Sequence, residues 1–127
     1  MKSTKGFTLV ELVIVIVIVG ILSVVAVPVY KGYTKKAMAT EGKALLGAVN
    51  TSQKVYFAEW DMFVTGAQSA ALDVDASTNK YFTSIGLTGT GTGFTATTTG
   101  ANGAGGIGLT LRGSKSGASV ITESGLK

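Results

Sequence analysis

A chain of 127 residues allows one modest domain plus one further element, and 46% apolar against 14% charged residues, with a mean hydropathy of +0.42, is unusually apolar for a soluble protein. The net charge of +4 falls to +2 without Lys2 and Lys5, nine basic against seven acidic side chains, too little to make a specific nucleic-acid site the expectation. Cysteine and histidine are both absent, which removes disulfides, thiolate chemistry, the commonest metal ligand and the commonest general base, so neither an enzyme nor a cofactor is expected.

The apolar weight is concentrated before Tyr30. From Phe7 to Tyr30 the one charged side chain is Glu11, and Leu12 to Val29 is eighteen uncharged, mostly apolar residues ahead of Lys31, Lys35 and Lys36. A helix needs about 20 such residues to cross ~30 Å of hydrocarbon. The stretch 7–30 would span roughly 36 Å at about 1.5 Å per residue. Its Val/Ile run would suit a strand in water, and periodicity cannot decide because every face is apolar. Length decides, since in lipid each backbone group must bond within its own segment. A cleaved secretory signal peptide is the alternative. However, the run exceeds an h-region of about 7–15 residues, and VPVYKGYTKKA has no A-x-A pattern. Lysines at both ends leave the orientation open.

Glu11 is the informative residue. A carboxylate deep in a membrane helix costs ~3 kcal/mol on insertion scales, so it requires a partner. Among its helical neighbours at 7, 8, 14 and 15 only Thr8 is polar, and no Lys or Arg is within reach. A free amino group at the helix start remains, provided that the chain is cut just ahead of it.

The stretch KGFTLVEL resembles the processing site of type IV prepilins. In that family a short basic leader ends in Gly and a dedicated peptidase cuts after it. The new first residue, usually Phe, is N-methylated, and a Glu follows four positions later. The resemblance implies a leader Met1–Gly6, cleavage between Gly6 and Phe7, methylation of Phe7, and Glu11 as the acid. It also implies that Glu11 of one subunit pairs with the Phe7 amine of a neighbour. The methylated amine keeps its charge. A charge compensated only on assembly would set register rather than add bulk stability. The resemblance covers about the first 55 residues and includes Gly20 and Pro28 at two helix-weakening positions. Pro28 removes a donor and crowds the carbonyl of Val24. The segment between them would let a packed rod bend, although both residues are also common in ordinary membrane helices.

Beyond Pro28, Met38, Leu45, Val49, Tyr56, Trp60 and Phe63 form one apolar stripe, with Lys35, Glu41, Lys54 and Asp61 largely off it. This predicts an amphipathic half, 31–63, of the same helix. Gly32, Gly42 and Gly47 cost it ~1 kcal/mol each against Ala, either to admit close packing or simply as a burden. Residues 64–80 read as an irregular connection. There Asp73 and Asp75, with Asn79, are incomplete calcium candidates: their D-x-D spacing lacks the Gly and terminal Glu of an EF-hand loop, so a solvated loop is the plainer reading and no metal is expected. The triplet Asn50-Thr51-Ser52 lies mid-helix and is discounted as a glycosylation site.

From Tyr81 onward KYFTSIGL, GFTATTT, IGLTLRG and ASVITES predict four short antiparallel strands in a head, 81–127. Eleven of the eighteen glycines fall between Gly86 and Gly117, which argues for turns and bulges. GAGGIG satisfies a dinucleotide-binding pattern without its context, because no helix follows it. So small a head should depend on the helix beneath it.

The expected fold is therefore α+β, a long N-terminal helix with a transmembrane half and an amphipathic half, packed against a small antiparallel β-sheet head. The family resemblance implies a structural subunit of a type IV pilus, polymerised through its N-terminal helix for adhesion, twitching motility or DNA uptake. Its implied partners are further copies in a helical filament, the prepilin peptidase, the inner-membrane assembly machinery and, before assembly, the membrane. Its implied location is the bacterial inner membrane and then an extracellular pilus. The alternatives are a pseudopilin of type II secretion and a non-assembling, single-pass membrane-anchored binding domain. GASVITESGLK lacks the clustered acids of a pseudopilin calcium loop, which favours the pilin. Electron transport along Phe7, Tyr30, Tyr33, Tyr56 and Phe57 is a further idea, set against the ordinary packing role of aromatics.

Overall fold

The computed structural model describes residues 5–126. The chain forms two compact units, one up to Tyr33 and one from Thr34 onward. A single α-helix, α1 (Leu9–Trp60), contributes to both and runs unbroken through Pro28.

Every side chain from Lys5 to Lys31 is exposed. By length and composition α1 is the one helix among the described residues that could cross a membrane. The Ser23 hydroxyl turns back 2.7 Å to the carbonyl of Val19 and so shows little polarity to its surroundings.

In the second unit α1 buries a narrow seam of Ala39, Gly42, Leu46, Val49 and Gln53, alternately three and four residues apart, with Leu45 beside it. Met38, Tyr56 and Phe57 flank it, partly covered. The stripe expected from the large apolar residues takes part, with Leu45 and Val49 buried and Met38 and Tyr56 packed against the core, but its centre is rotated toward smaller residues. Trp60 is 62% exposed, and Phe63 is buried but lies beyond the helix. Small residues explain the rotation, because they let the sheet approach. A Cβ on Gly42 would strike the Leu109 side chain and come within 3.0 Å of the Phe82 ring. Gly32 and Gly47 face open space, so close packing accounts for Gly42 and not for the other two. The helix stops at Trp60, short of the expected Phe63, as Asp61 turns left-handed with φ 51°.

The connection is more ordered than expected, because Gly66–Leu72 is a short 3-10 helix. Four strands follow: β1 (Gly86–Gly89), β2 (Gly93–Thr99), β3 (Gly108–Ser114) and β4 (Ser119–Ser124). They form one antiparallel sheet in the order β1-β2-β3-β4. Leu87, Ala96, Leu111 and Ile121 form a cross-strand row in register, and Ala96 and Leu111 are in the core. Thr95, Thr97, Thr110, Arg112 and Thr122 alternate to the other face. The core also takes Phe63, Phe82, Phe94, Ile107 and Leu109, with the Phe63 ring stacked on Phe57 at 4.6 Å and tilted against Phe94 at 5.2 Å.

The last three strands stand where the sequence predicts them, whereas KYFTSIGL pairs only from Gly86. Its first residues are engaged elsewhere. The amides of Tyr81 and Phe82 donate to Glu41 Oε1 at 2.6 and 3.0 Å, which ties the end of the connection to α1. GAGGIG lies at the β2–β3 turn, where Gly103 and Gly106 take φ values of 100° and 85°.

Gln53 makes the second tie. Wholly buried, its amide donates 2.9 Å to the Val64 carbonyl and accepts 2.9 Å from the Val64 N–H, as a neighbouring strand would. The Glu41 carboxyl is held below its ordinary pKa chiefly by the Tyr81 amide; burial opposes this, and the Phe82 and Lys80 amides and the Lys80 charge add smaller lowering effects. A depressed carboxylate contributes stability above its unfolded pKa and loses it as pH falls through the folded one.

Thermal unfolding of the full chain in micelles separates the two ties. Gln53→Ala should lose ~2–4 kcal/mol at every pH, because two buried backbone groups are left unpaired. Glu41→Gln should be weaker than wild type at about pH 6, with the gap closing toward about pH 3.

Candidate functional site

The residues singled out by sequence at the N-terminus gather at the start of α1. Met1–Thr4, most of the expected leader, lie outside the described residues. Residues 5–8 are non-helical and exposed, so the Gly6–Phe7 bond sits in open chain just ahead of the first turn. Phe7 itself is 85% exposed.

Thr8 is the helix cap. Its carbonyl accepts the first helical hydrogen bond, from the Leu12 N–H at 3.3 Å. Its hydroxyl accepts the Glu11 N–H at 3.2 Å, and the Glu11 carboxylate returns the favour: Oε2 accepts the Thr8 N–H at 2.8 Å and the Thr8 O–H at 2.7 Å. This is a reciprocal capping box. The carboxylate also lies in the first turn, where exposed amides and the helix dipole favour a negative charge. Sequence reasoning saw the Thr8 hydroxyl but missed the backbone amide and the capping role. The signal was present, since Thr8-x-x-Glu11 just before an apolar run is the capping-box pattern.

Hydrogen bonds do not supply a counter-charge. Among the described residues Glu11 is in no ion pair. Gly20 faces open space and Pro28 is accommodated inside α1.

The second group, Asp73 and Asp75, stands apart in the connection. Asp73 is the left-handed residue that ends the 3-10 helix, with φ 51°. Asp75 accepts the Ser77 N–H at 2.8 Å, and its carboxyl is lowered by its Ser77 hydrogen bonds, that of the side chain foremost. Asn79 donates to the Phe82 carbonyl at 3.3 Å. Each has a local structural task, and no group of three acidic side chains placed for a metal occurs among the described residues.

With this geometry in hand, the comparisons with known proteins are specific. Residues 1–27 match the family described as the prokaryotic N-terminal methylation motif. The chain is 41% identical over 81 residues to a fimbrial protein of Moraxella nonliquefaciens, covering 64% of this chain and 53% of that one. It is 38% identical over 96 residues to the fimbrial protein EcpC of Eikenella corrodens, covering 75% and 61%. With the type IV major alpha-pilin of Moraxella bovis the identity is 38% over 88 residues, covering 69% and 50%. The chain is a relative of type IV pilins. It spans about half to three fifths of the length of these curated relatives. Its α+β architecture, one long N-terminal apolar helix with a four-stranded antiparallel sheet, is type IV pilin-like.

The capping box can be tested on its own. Thr8→Val should cost the first turn about 1 kcal/mol. Hydrogen exchange of the amides of residues 9–12 in micelles should then quicken about five-fold, with the head amides unchanged.

Proposed function

We propose that this chain is a structural subunit of a type IV pilus, polymerised through its N-terminal helix into a surface filament. One observation carries the reading. An apolar helical segment exposes every side chain from Leu9 to Tyr30, and its one acid has hydrogen bonds but, among the described residues, no cation. Such a surface is stable only in lipid or against like helices. In the precursor the surround is the inner membrane. In the filament it is the helices of other copies.

On this reading the prepilin peptidase cuts between Gly6 and Phe7, a bond accessible in the open residues 5–8. Phe7 is then N-methylated, and its cationic amine meets Glu11 of an adjoining copy. The capping box explains how the acid is tolerated beforehand: it anchors the helix start and lowers the demand on an external partner without meeting it. A cation arriving in that apolar surround is worth more than one at a wet surface. Gly20 and Pro28 give the packed rod its compliance. The inner-membrane assembly machinery supplies the work of polymerisation, and the names of the relatives, fimbrial protein and type IV major alpha-pilin, support a structural rather than an enzymatic role.

Mass spectrometry of protein from expressing cells should find a mature chain that begins at Phe7 and carries one added methyl group. Glu11→Ala should be cut and inserted normally, yet yield at least about ten-fold fewer surface filaments by electron microscopy, because the amine is left buried and uncompensated. An intact Met1, or undiminished filaments from Glu11→Ala, would contradict the reading.

A further inference from the structure

The second unit is divided by charge around the axis of α1. Lys54 and Glu59 are both exposed, yet five residues apart they point about 140° away from each other. On the Lys54 side lies the β3–β4 hairpin. Lys54 and Lys115 line one cavity of about 180 Å³ with Asn50 and Ala118. Lys43 is on the same flank, bound to Glu123. On the Glu59 side lies the connection. Glu59 and Asp73 line one groove with Tyr56 and Ala71, and Asp73 and Asp75 line the next with Glu41.

The charges on each flank are incompletely answered within the chain. Lys115 is 3.4 Å from Asp61, but Lys54 is in no ion pair among the described residues. None of Glu59, Asp73 and Asp75 is in an ion pair there either. The cation nearest in sequence to the two aspartates, Lys80, lies over the Tyr81 ring at 5.1 Å. One exposed flank is thus left with a positive excess and the other with a negative one.

Resting on the pilus-subunit reading, we propose that the head binds a second copy of this chain through these flanks, the acidic groove of Glu59 and Asp73 receiving the Lys54 and Lys115 flank of its neighbour. Two different patches meet, so the contact repeats from copy to copy instead of closing into a dimer. Exposed ion pairs are individually weak, and salt screens them beyond about 10 Å at 0.1 M. The contact therefore orients heads and fixes which flank faces which, while the apolar helices supply the cohesion.

The chain contains no cysteine, which gives a clean test. Ala71→Cys and Ala118→Cys place one thiol on each flank at exposed, uncharged positions. Sheared filaments of the double variant, oxidised and run without reductant, should give a ladder of dimers, trimers and higher multiples, while each single variant gives none. Adding Lys54→Glu and Lys115→Glu should cut the ladder several-fold, and adding Glu59→Lys and Asp73→Lys to these should restore it. A ladder from a single variant, or one indifferent to charge reversal, would overturn the proposal. Filaments without a ladder would remove this contact and leave the pilus reading standing, whereas a wild-type chain that forms no filaments would remove both.

Discussion

Among the described residues Glu11 accepts two hydrogen bonds from Thr8 and meets no cation, and both facts constrain the rest of the molecule. The hydrogen bonds let the acid sit at the head of an apolar helix without unravelling it, because its own first turn supplies donors. The missing cation leaves a net charge among side chains that belong in hydrocarbon. Nothing in the apolar segment can neutralise it, since no other charged residue lies between Phe7 and Tyr30. A compensating charge must come from outside the helix. Cleavage after Gly6 would place one at the end of an identical helix. On the proposed reading two copies would then answer each other, and the acid would serve as a device for alignment.

The two units divide the physical tasks. The first leaves its polar and apolar demands open and is completed by its surroundings. The second has a core of its own, and its connection is tied to its helix. Gln53 stands in for a strand against Val64, and Glu41 gathers the amides of Tyr81 and Phe82, so the connection is fixed to α1 at both ends. Gly42 lets Leu109 and Phe82 reach the helix surface. A small, glycine-rich head holds together because the helix is one of its layers.

Much of this was legible in the sequence because it depends on local pattern. The apolar run, its lone acid and the strands β2 to β4 follow from composition, length and turn residues. Long-range pairing was not legible. Glu41 and Gln53 look like ordinary helix residues until amides 40 and 11 positions away are placed against them. The same pairing diverts Tyr81 and Phe82 from the sheet, which is why β1 is shorter than its sequence suggests. Most of the expected stripe packs, but the centre of the seam was missed because large side chains dominate a periodicity reading, while Ala39 and Gly42 mark the closest contact by what they lack. At the candidate site the Thr8-x-x-Glu11 pattern was visible, but attention to the cost of the charge obscured its role as a cap.

The central claim is that this acid is completed by the terminal amine of another copy. Electron cryomicroscopy of purified filaments, at a detail that shows side chains, tests it directly. The account predicts the Phe7 nitrogen of one subunit within about 4 Å of a Glu11 carboxylate oxygen of its neighbour, with the Thr8 cap intact. A Glu11 bonded only within its own subunit or to water, with every Phe7 amine well beyond that reach, would contradict it.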